Sequence, residues 1–133
     1  MWDLSVSSTS HQIINEFYAH NRIISAVCHG PAALAKVKLT NGTYLLANQP
    51  VTGFSNTEES AMGLTEQMPF SLEDELEKAS GGKYVKAESD WGVKVAVGLE
   101  GRLITGQNPA SATAVGKAIY DSIFGKETTR DEV

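Results

Sequence analysis

The stretch Ile23-Ile24-Ser25-Ala26-Val27-Cys28-His29-Gly30-Pro31-Ala32-Ala33-Leu34 constrains this chain more than any other. A β-prone apolar run stops at the single cysteine. A histidine, a glycine and a proline follow, then small residues that suit a helix. Ala26 lies two residues before the cysteine and Gly30 two residues after it. That spacing has the physical logic of a nucleophile elbow. A strand turns into a helix so sharply that only small neighbours fit, and the nucleophile is held out at the top of a sheet. The alternative is a buried cysteine that ends a strand, since free cysteine is among the most buried residue types. From this stretch both readings stand, because a lone cysteine with a histidine in the chain is a candidate nucleophile and no more.

The chain has 133 residues, enough for one domain with one sizeable core. Its 41% apolar and 20% charged residues place it among ordinary globular proteins. No apolar run approaches the roughly 18 residues of a membrane span. The start, Met1-Trp2-Asp3-Leu4-Ser5, has neither a basic segment nor an apolar signal core, so no secretory peptide is expected. A single cysteine excludes an internal disulfide and fits a reducing, cytoplasmic compartment. The net charge of −5, with Lys and Arg scattered, argues against nucleic acid as a partner. His11, His20 and His29 are separated from one another and from any second cysteine, so no metal site is expected.

Along the chain, Ile13, Ile14, Phe17 and Tyr18 share one face of a helix that opens near Ser8-Thr9-Ser10 and stops near Asn21. His11 and His20 sit at its ends, where solvated side chains are expected. Residues 23–27 read as a buried strand, and Pro31 suits the first turn of the helix after it. Asn41-Gly42 marks a turn between the arms of a β-hairpin, and Val51-Thr52-Gly53-Phe54 reads as a further short strand. Ser55 and Glu58 have capping-box spacing, as do Ser71 and Asp74, so each pair opens a helix. Gly81-Gly82 ends the second of these. Glu73, Asp74, Glu75 and Glu77 read as its solvated face, and Tyr84-Val85 as a strand. The alternation of Val93, Val95 and Val97 predicts that one face of the next strand is buried. Gly101 turns the chain into the strand Leu103-Ile104-Thr105, and Asn108-Pro109 opens a last helix with Ala112, Val115, Ile119 and Ile123 on one stripe. A polar tail follows Gly125. Strands alternating with helices argue for an α/β domain with a largely parallel sheet. Neither a repeat nor a linker divides the chain.

A thiol becomes a strong nucleophile as thiolate, which a helix N-terminus and an adjacent base both favour. Cys28 stands where a helix is expected to begin, and His29 is the adjacent base. The His29 backbone N–H suits an oxyanion hole. A carboxylate is needed to fix the tautomer of such a histidine. Glu58 and Glu59 lead, because they follow the expected strand 51–54 at its loop end, where functional groups of open α/β sheets gather. One of the two is expected to be a solvated residue of the first helical turn. Trp91 reads as packing, with Asp90 beside it at the border of a cleft.

The segment Ala26-Val27-Cys28-His29-Gly30-Pro31-Ala32 resembles the signature of the ThiJ/PfpI superfamily, a class I glutamine-amidotransferase-like group. Three further segments carry the resemblance: residues 51–59, residues 103–111, and Met1-Trp2-Asp3-Leu4. The last is similar to the segment after a glycine-rich turn in the heat-shock glyoxalase branch. The fold implied is a flavodoxin-like three-layer α/β/α sandwich, of which residues 1–133 form the C-terminal part of a single domain with the N-terminal strands missing. The resemblance implies Cys28 as nucleophile, His29 as its base and Glu59, rather than Glu58, as the triad carboxylate. It further implies conversion of methylglyoxal to D-lactate (a D-lactate dehydratase activity) without glutathione, cofactor or metal. The expected partners are a small reactive aldehyde and, as in many members of the family, a second copy of the chain in a homodimer. In family members the part upstream of Met1 supplies the first strands, a glutamate beside the cysteine and a glycine-rich turn of the oxyanion hole. Impaired turnover is therefore the expectation for this chain. Two other readings from the same superfamily are a stress chaperone (holdase) and a redox sensor in which Cys28 is oxidised.

Overall fold

The computed structural model describes residues 1–125, and the expected polar tail at residues 126–133 lies outside the described residues. In chain order the elements are α1 (Ser8–Ala19), β1 (Ile24–Val27), α2 (Asn56–Ala61), α3 (Leu72–Ala79), β2 (Val95–Gly98), β3 (Leu103–Gly106) and α4 (Ala112–Phe124). Short 3-10 turns stand at Gly30–Ala33, Thr65–Gln67, Leu99–Gly101 and Pro109–Ser111. The strands form one sheet in the order β1-β3-β2. β1 runs parallel to β3, with Ile24 opposite Leu103 and Val27 opposite Gly106, whereas β2 is antiparallel to β3. The antiparallel return follows from the connection. Leu99, Glu100 and Gly101 all take positive φ, and so tight a link joins only antiparallel neighbours. The architecture is α/β with a mixed sheet.

β3 is the central strand and is buried along its whole length. Leu103 and Ile104 are at most 1% exposed, and Leu103 joins Leu46, Val51, Leu72 and Leu76 in the core. Thr105 is equally buried, and its Oγ1 accepts the Thr52 N–H at 3.0 Å. That bond is one reason the segment 51–54 is not a regular strand. Val51 N–H donates to Lys83 O and Phe54 N–H to Cys28 O, so successive donors go to different places. Only a single parallel bridge forms, between Val51 and Tyr84. The expected hairpin around Asn41-Gly42 is likewise a single bridge, Lys38 with Tyr44.

One face of the strand is buried as expected, and it is the face opposite the valines. Val93 and Val97 are 58% and 47% exposed, while Ala96 is buried. The alternation shows that the two faces of the strand differ. The inner face here has room only for small residues: a Cβ at Gly98 would stand 2.9 Å from Gln49 Oε1. Ala96 and Gly98 therefore take the inner positions.

The helices form as their caps dictate. Ser7 caps α1 by accepting the Ser10 N–H, and Asn21 takes a left-handed φ of 54° just beyond its end. Ser55 and Glu58 form a reciprocal capping box on α2, and Ser71 accepts the Asp74 N–H on α3. Of the expected stripe on α4, only Val115 is fully buried, and Ile123 is 58% exposed. On α1, Ile14 and Tyr18 pack against the core while Ile13 and Phe17 stay 54% and 48% exposed. With Leu4, Ile24 and Ala26 they line an open apolar groove of about 500 Å³ along β1. Among the described residues β1 pairs on one side only. No helix among the described residues is long and apolar enough to cross a membrane.

Gly106 ends β3 beneath the start of the turn after β1. A Cβ there would come within 2.5 Å of Val115 Cγ2 and 3.0 Å of Val27 Cγ2. Gly106→Ala is expected to cost about 1–3 kcal/mol through overpacking. The measurement is the urea midpoint, and an unchanged midpoint would show that α4 yields without strain.

Candidate active site

Cys28 directly follows β1 and turns the chain with φ +63°. For a non-glycine residue this left-handed conformation costs about 1–2 kcal/mol. Hydrogen bonds fix it on both sides: its N–H donates to Gly106 O at 2.9 Å, and its C=O accepts the Phe54 N–H at 2.9 Å. A Cβ on Gly30 would stand 3.3 Å from the Cβ of Ala26. The closeness of the turn therefore favours small residues at both flanks.

The imidazole of His29 lies between the thiol and a carboxylate. Nδ1 is 3.5 Å from Cys28 Sγ, and Nε2 is 2.7 Å from Glu59 Oε2. An ionised carboxylate only accepts. Nε2 therefore carries the hydrogen donated to Glu59, and Nδ1 turns its lone pair toward the thiol. The His29 side chain is 30% exposed and that of Glu59 9%, so the imidazole is reachable while the carboxylate bonded to it is shielded. Phe54 packs on the imidazole with ring centroids 4.5 Å apart, and Trp91 meets Phe54 edge-on at 5.6 Å. The structure thus brings together Cys28, His29 and Glu59. His11 and His20 make only local contacts, with Ser5 O and with Glu16. Among the described residues no group of three or more His, Cys, Asp or Glu could hold a metal ion.

Neither glutamate at the start of α2 is solvated, contrary to the expectation for one of them: Glu58 is 0% and Glu59 7% exposed. Glu59 Oε1 is buried and has no hydrogen-bond partner among the described residues. Glu58 is the reverse case. Its Oε1 accepts from Ser55 N–H, Ser55 Oγ and Gln107 Nε2, and its Oε2 from Trp91 N–H and Asn108 Nδ2. Burial opposes its charge, but the donors of Gln107, Asn108, Ser55 and Trp91 outweigh burial and hold its pKa below the ordinary carboxylate value. Gln107 and Asn108 are the buried partners that sequence reasoning missed. The available signal was an amide pair directly after the apolar strand β3.

The thiol is not tuned as the sequence suggested. Burial pushes the Cys28 pKa up, and Glu58 and Glu59 add to the rise. The His29 backbone hydrogen bond acts the other way, more strongly than either glutamate, and is outweighed by burial. The helix expected after the elbow is a four-residue 3-10 turn, Gly30–Ala33, too short for an appreciable macrodipole.

Two measurements follow. Alkylation of Cys28 by iodoacetamide is expected to be half-maximal above the ordinary thiol value of about 8.5; half-maximal reaction near neutrality would contradict the burial. For Glu58 the folded pKa lies below the unfolded one, so the unfolded chain takes the proton first. The stability it contributes is present above about pH 4.3 and is lost as pH falls through the folded pKa. Between pH 5 and 3 the urea midpoint of the wild type is expected to fall more steeply than that of Glu58→Gln. Parallel curves would assign the acid loss to other carboxylates.

No family model matches the chain. It is similar to the glutathione-independent glyoxalase HSP31 of Saccharomyces cerevisiae, with 28% identity over 127 residues, 92% of this chain and 53% of that protein. Among solved structures, Rapid Encystment Protein 24 KDa (REP24) of Francisella tularensis matches with a TM-score of 0.85 and 46% identity, over 92% of this chain and 53% of that one. Glyoxalase III of Candida albicans matches with a TM-score of 0.81 and 25% identity, over 91% of this chain and 52% of that one. The chain spans about half the length of the curated relatives it matches. The chain is thus similar to glutathione-independent glyoxalases and corresponds to the C-terminal portion of these homologues.

Proposed function

We propose that the protein acts in glutathione-independent glyoxalase chemistry, with Cys28 as nucleophile, His29 as its base and Glu59 as the carboxylate that orients His29. The observation that carries this reading is the unbroken contact from Sγ through the imidazole to Glu59, at 3.5 and 2.7 Å. The relatives named as glyoxalases supply the substrate class, a 2-oxoaldehyde such as methylglyoxal.

The steps balance without a cofactor. Nδ1 of His29 takes the thiol proton as Sγ attacks the aldehyde carbon, and the resulting alkoxide is protonated to a hemithioacetal. Loss of the hydrogen on that carbon gives an enediol bound through sulfur. Protonation at the neighbouring carbon then gives a lactoyl thioester. Water cleaves the thioester to lactate and regenerates the thiol, so the sum is methylglyoxal plus water to lactate. His29 suits each proton transfer because its other nitrogen stays tied to Glu59. The reading includes a homodimeric, cytoplasmic protein and formation of the D-isomer.

The decisive experiment measures D-lactate from methylglyoxal without glutathione. Cys28→Ala is expected to abolish it, and Glu59→Gln to reduce it by roughly 10³-fold or more, the scale seen when a triad member is lost. Turnover retained by Cys28→Ala would sink the reading. Suppression of client aggregation that survives Cys28→Ala, in protein without turnover, would favour a holdase instead.

A further inference from the structure

We infer that Glu58 is a positioning residue for the His29–Glu59 pair, a fixed acceptor that ties the α2 turn carrying Glu59 to the loop carrying Trp91. The inference rests on the proposed roles of His29 and Glu59 and goes beyond them to what holds those side chains in place.

The argument begins with donors. All of the groups that bond to the Glu58 carboxylate are donors. Two of these are side-chain amides that could in principle present either end, but each is fixed by its other contacts. Gln107 Oε1 accepts the Ala87 N–H at 2.8 Å, which leaves Nε2 for Glu58. Asn108 Oδ1 accepts from Ser111 Oγ at 2.8 Å, so its Nδ2 bridges Glu58 Oε2 and Gly92 O, each at 2.8 Å. Only an acceptor on both oxygens satisfies this surround. A glutamine at position 58 would set an N–H₂ against donors in either orientation, and an unmatched buried polar group is costly.

The same bonds have a mechanical consequence. Trp91 takes a left-handed φ of +63°, a strained conformation for a bulky residue that persists only where surroundings enforce it. Its N–H is held by Glu58 Oε2 at 2.9 Å, the carbonyl of Gly92 by Asn108, and Asp90 by Thr57 Oγ1 of α2 at 2.6 Å. The loop is thereby clamped to the first turn of α2. Its indole backs Phe54, and Phe54 packs on the imidazole of His29. Glu58 therefore acts on the pair from two directions, through its neighbour Glu59 in the helix and through the ring series Trp91, Phe54, His29.

The test uses Glu58→Gln. Trp2→Phe leaves Trp91 as the one tryptophan, since the chain has only these two. In that background Glu58→Gln is expected to red-shift the Trp91 emission and raise its quenching by acrylamide while the protein is still folded. In the wild-type background kcat for methylglyoxal should fall by on the order of ten- to a hundredfold, with KM within about twofold, as expected when reacting groups are misaligned rather than binding lost. A variant that merely loosens the fold would lower the melting temperature and leave both the kcat-to-KM split and the Trp91 signal unmoved below it. Should Glu58→Gln fail to fold, Asn108→Ala keeps the charge, removes one donor and is expected to show the same changes at smaller amplitude. Wild-type kcat in Glu58→Gln, or an unchanged Trp91 signal, overturns the inference. If wild-type protein makes no lactate, the glyoxalase reading falls by itself. The Trp91 measurement then decides whether Glu58 holds the loop.

Discussion

The left-handed turn at Cys28 is the constraint on which the rest of the site depends. A residue with a side chain keeps φ near +63° only if both of its peptide neighbours are held. Here the central strand holds one and the segment after Val51 holds the other. Each support needs further small residues. Ala26 and Gly30 must let the turn close, and Gly106 must let Val27 and Val115 meet. The segment that fixes the Cys28 carbonyl also supplies Phe54, whose ring packs on His29. One backbone strain thus accounts for the placement of the thiol, the imidazole and the aromatic wall behind it.

Glu58 and Glu59 are neighbours in sequence, in the same helical turn, and equally inaccessible in practice, yet their surroundings differ sharply. Glu58 is saturated with donors on both oxygens. Glu59 has one bonded oxygen, facing His29, and one without a partner among the described residues. Saturation fixes the charge on Glu58 and makes it unsuited to exchanging protons. The sparse contacts of Glu59 leave it responsive to the state of the imidazole.

The elbow was legible in the sequence because its requirement is local: small residues two positions either side of a cysteine, then a proline. The helix starts were legible for the same reason, since Ser55 with Glu58 and Ser71 with Asp74 satisfy their own backbone donors. What was not legible depends on partners far apart in the chain. Alternation at Val93, Val95 and Val97 separates two faces, but only the closeness of Gln49 to Gly98 decides which faces inward. The segment 51–54 has strand-like residues, yet its donors are taken by Lys83, Thr105 and Cys28. The amphipathic stripe of α1 marks a helix, but Ile13 and Phe17 line an open groove instead of a core. The polar cluster around Glu58 joins α2 to residues some fifty positions later, which no local pattern encodes.

The environment of the thiol bears on how a cysteine here can react. Burial holds the proton on Sγ, opposed by the His29 backbone hydrogen bond and helped by two nearby carboxylates. A preformed thiolate is therefore the wrong resting state. Attack on an electrophile requires that the proton leave as the sulfur–carbon bond forms, which calls for an acceptor already aligned with it. In the proposed reaction His29 Nδ1 takes that position, 3.5 Å from Sγ, with Nε2 tied to Glu59 Oε2 at 2.7 Å. For the proposed transfer the ring must not rotate away. Keeping it from rotating requires packing on one face and a hydrogen bond at the far nitrogen, and Phe54 and Glu59 provide these.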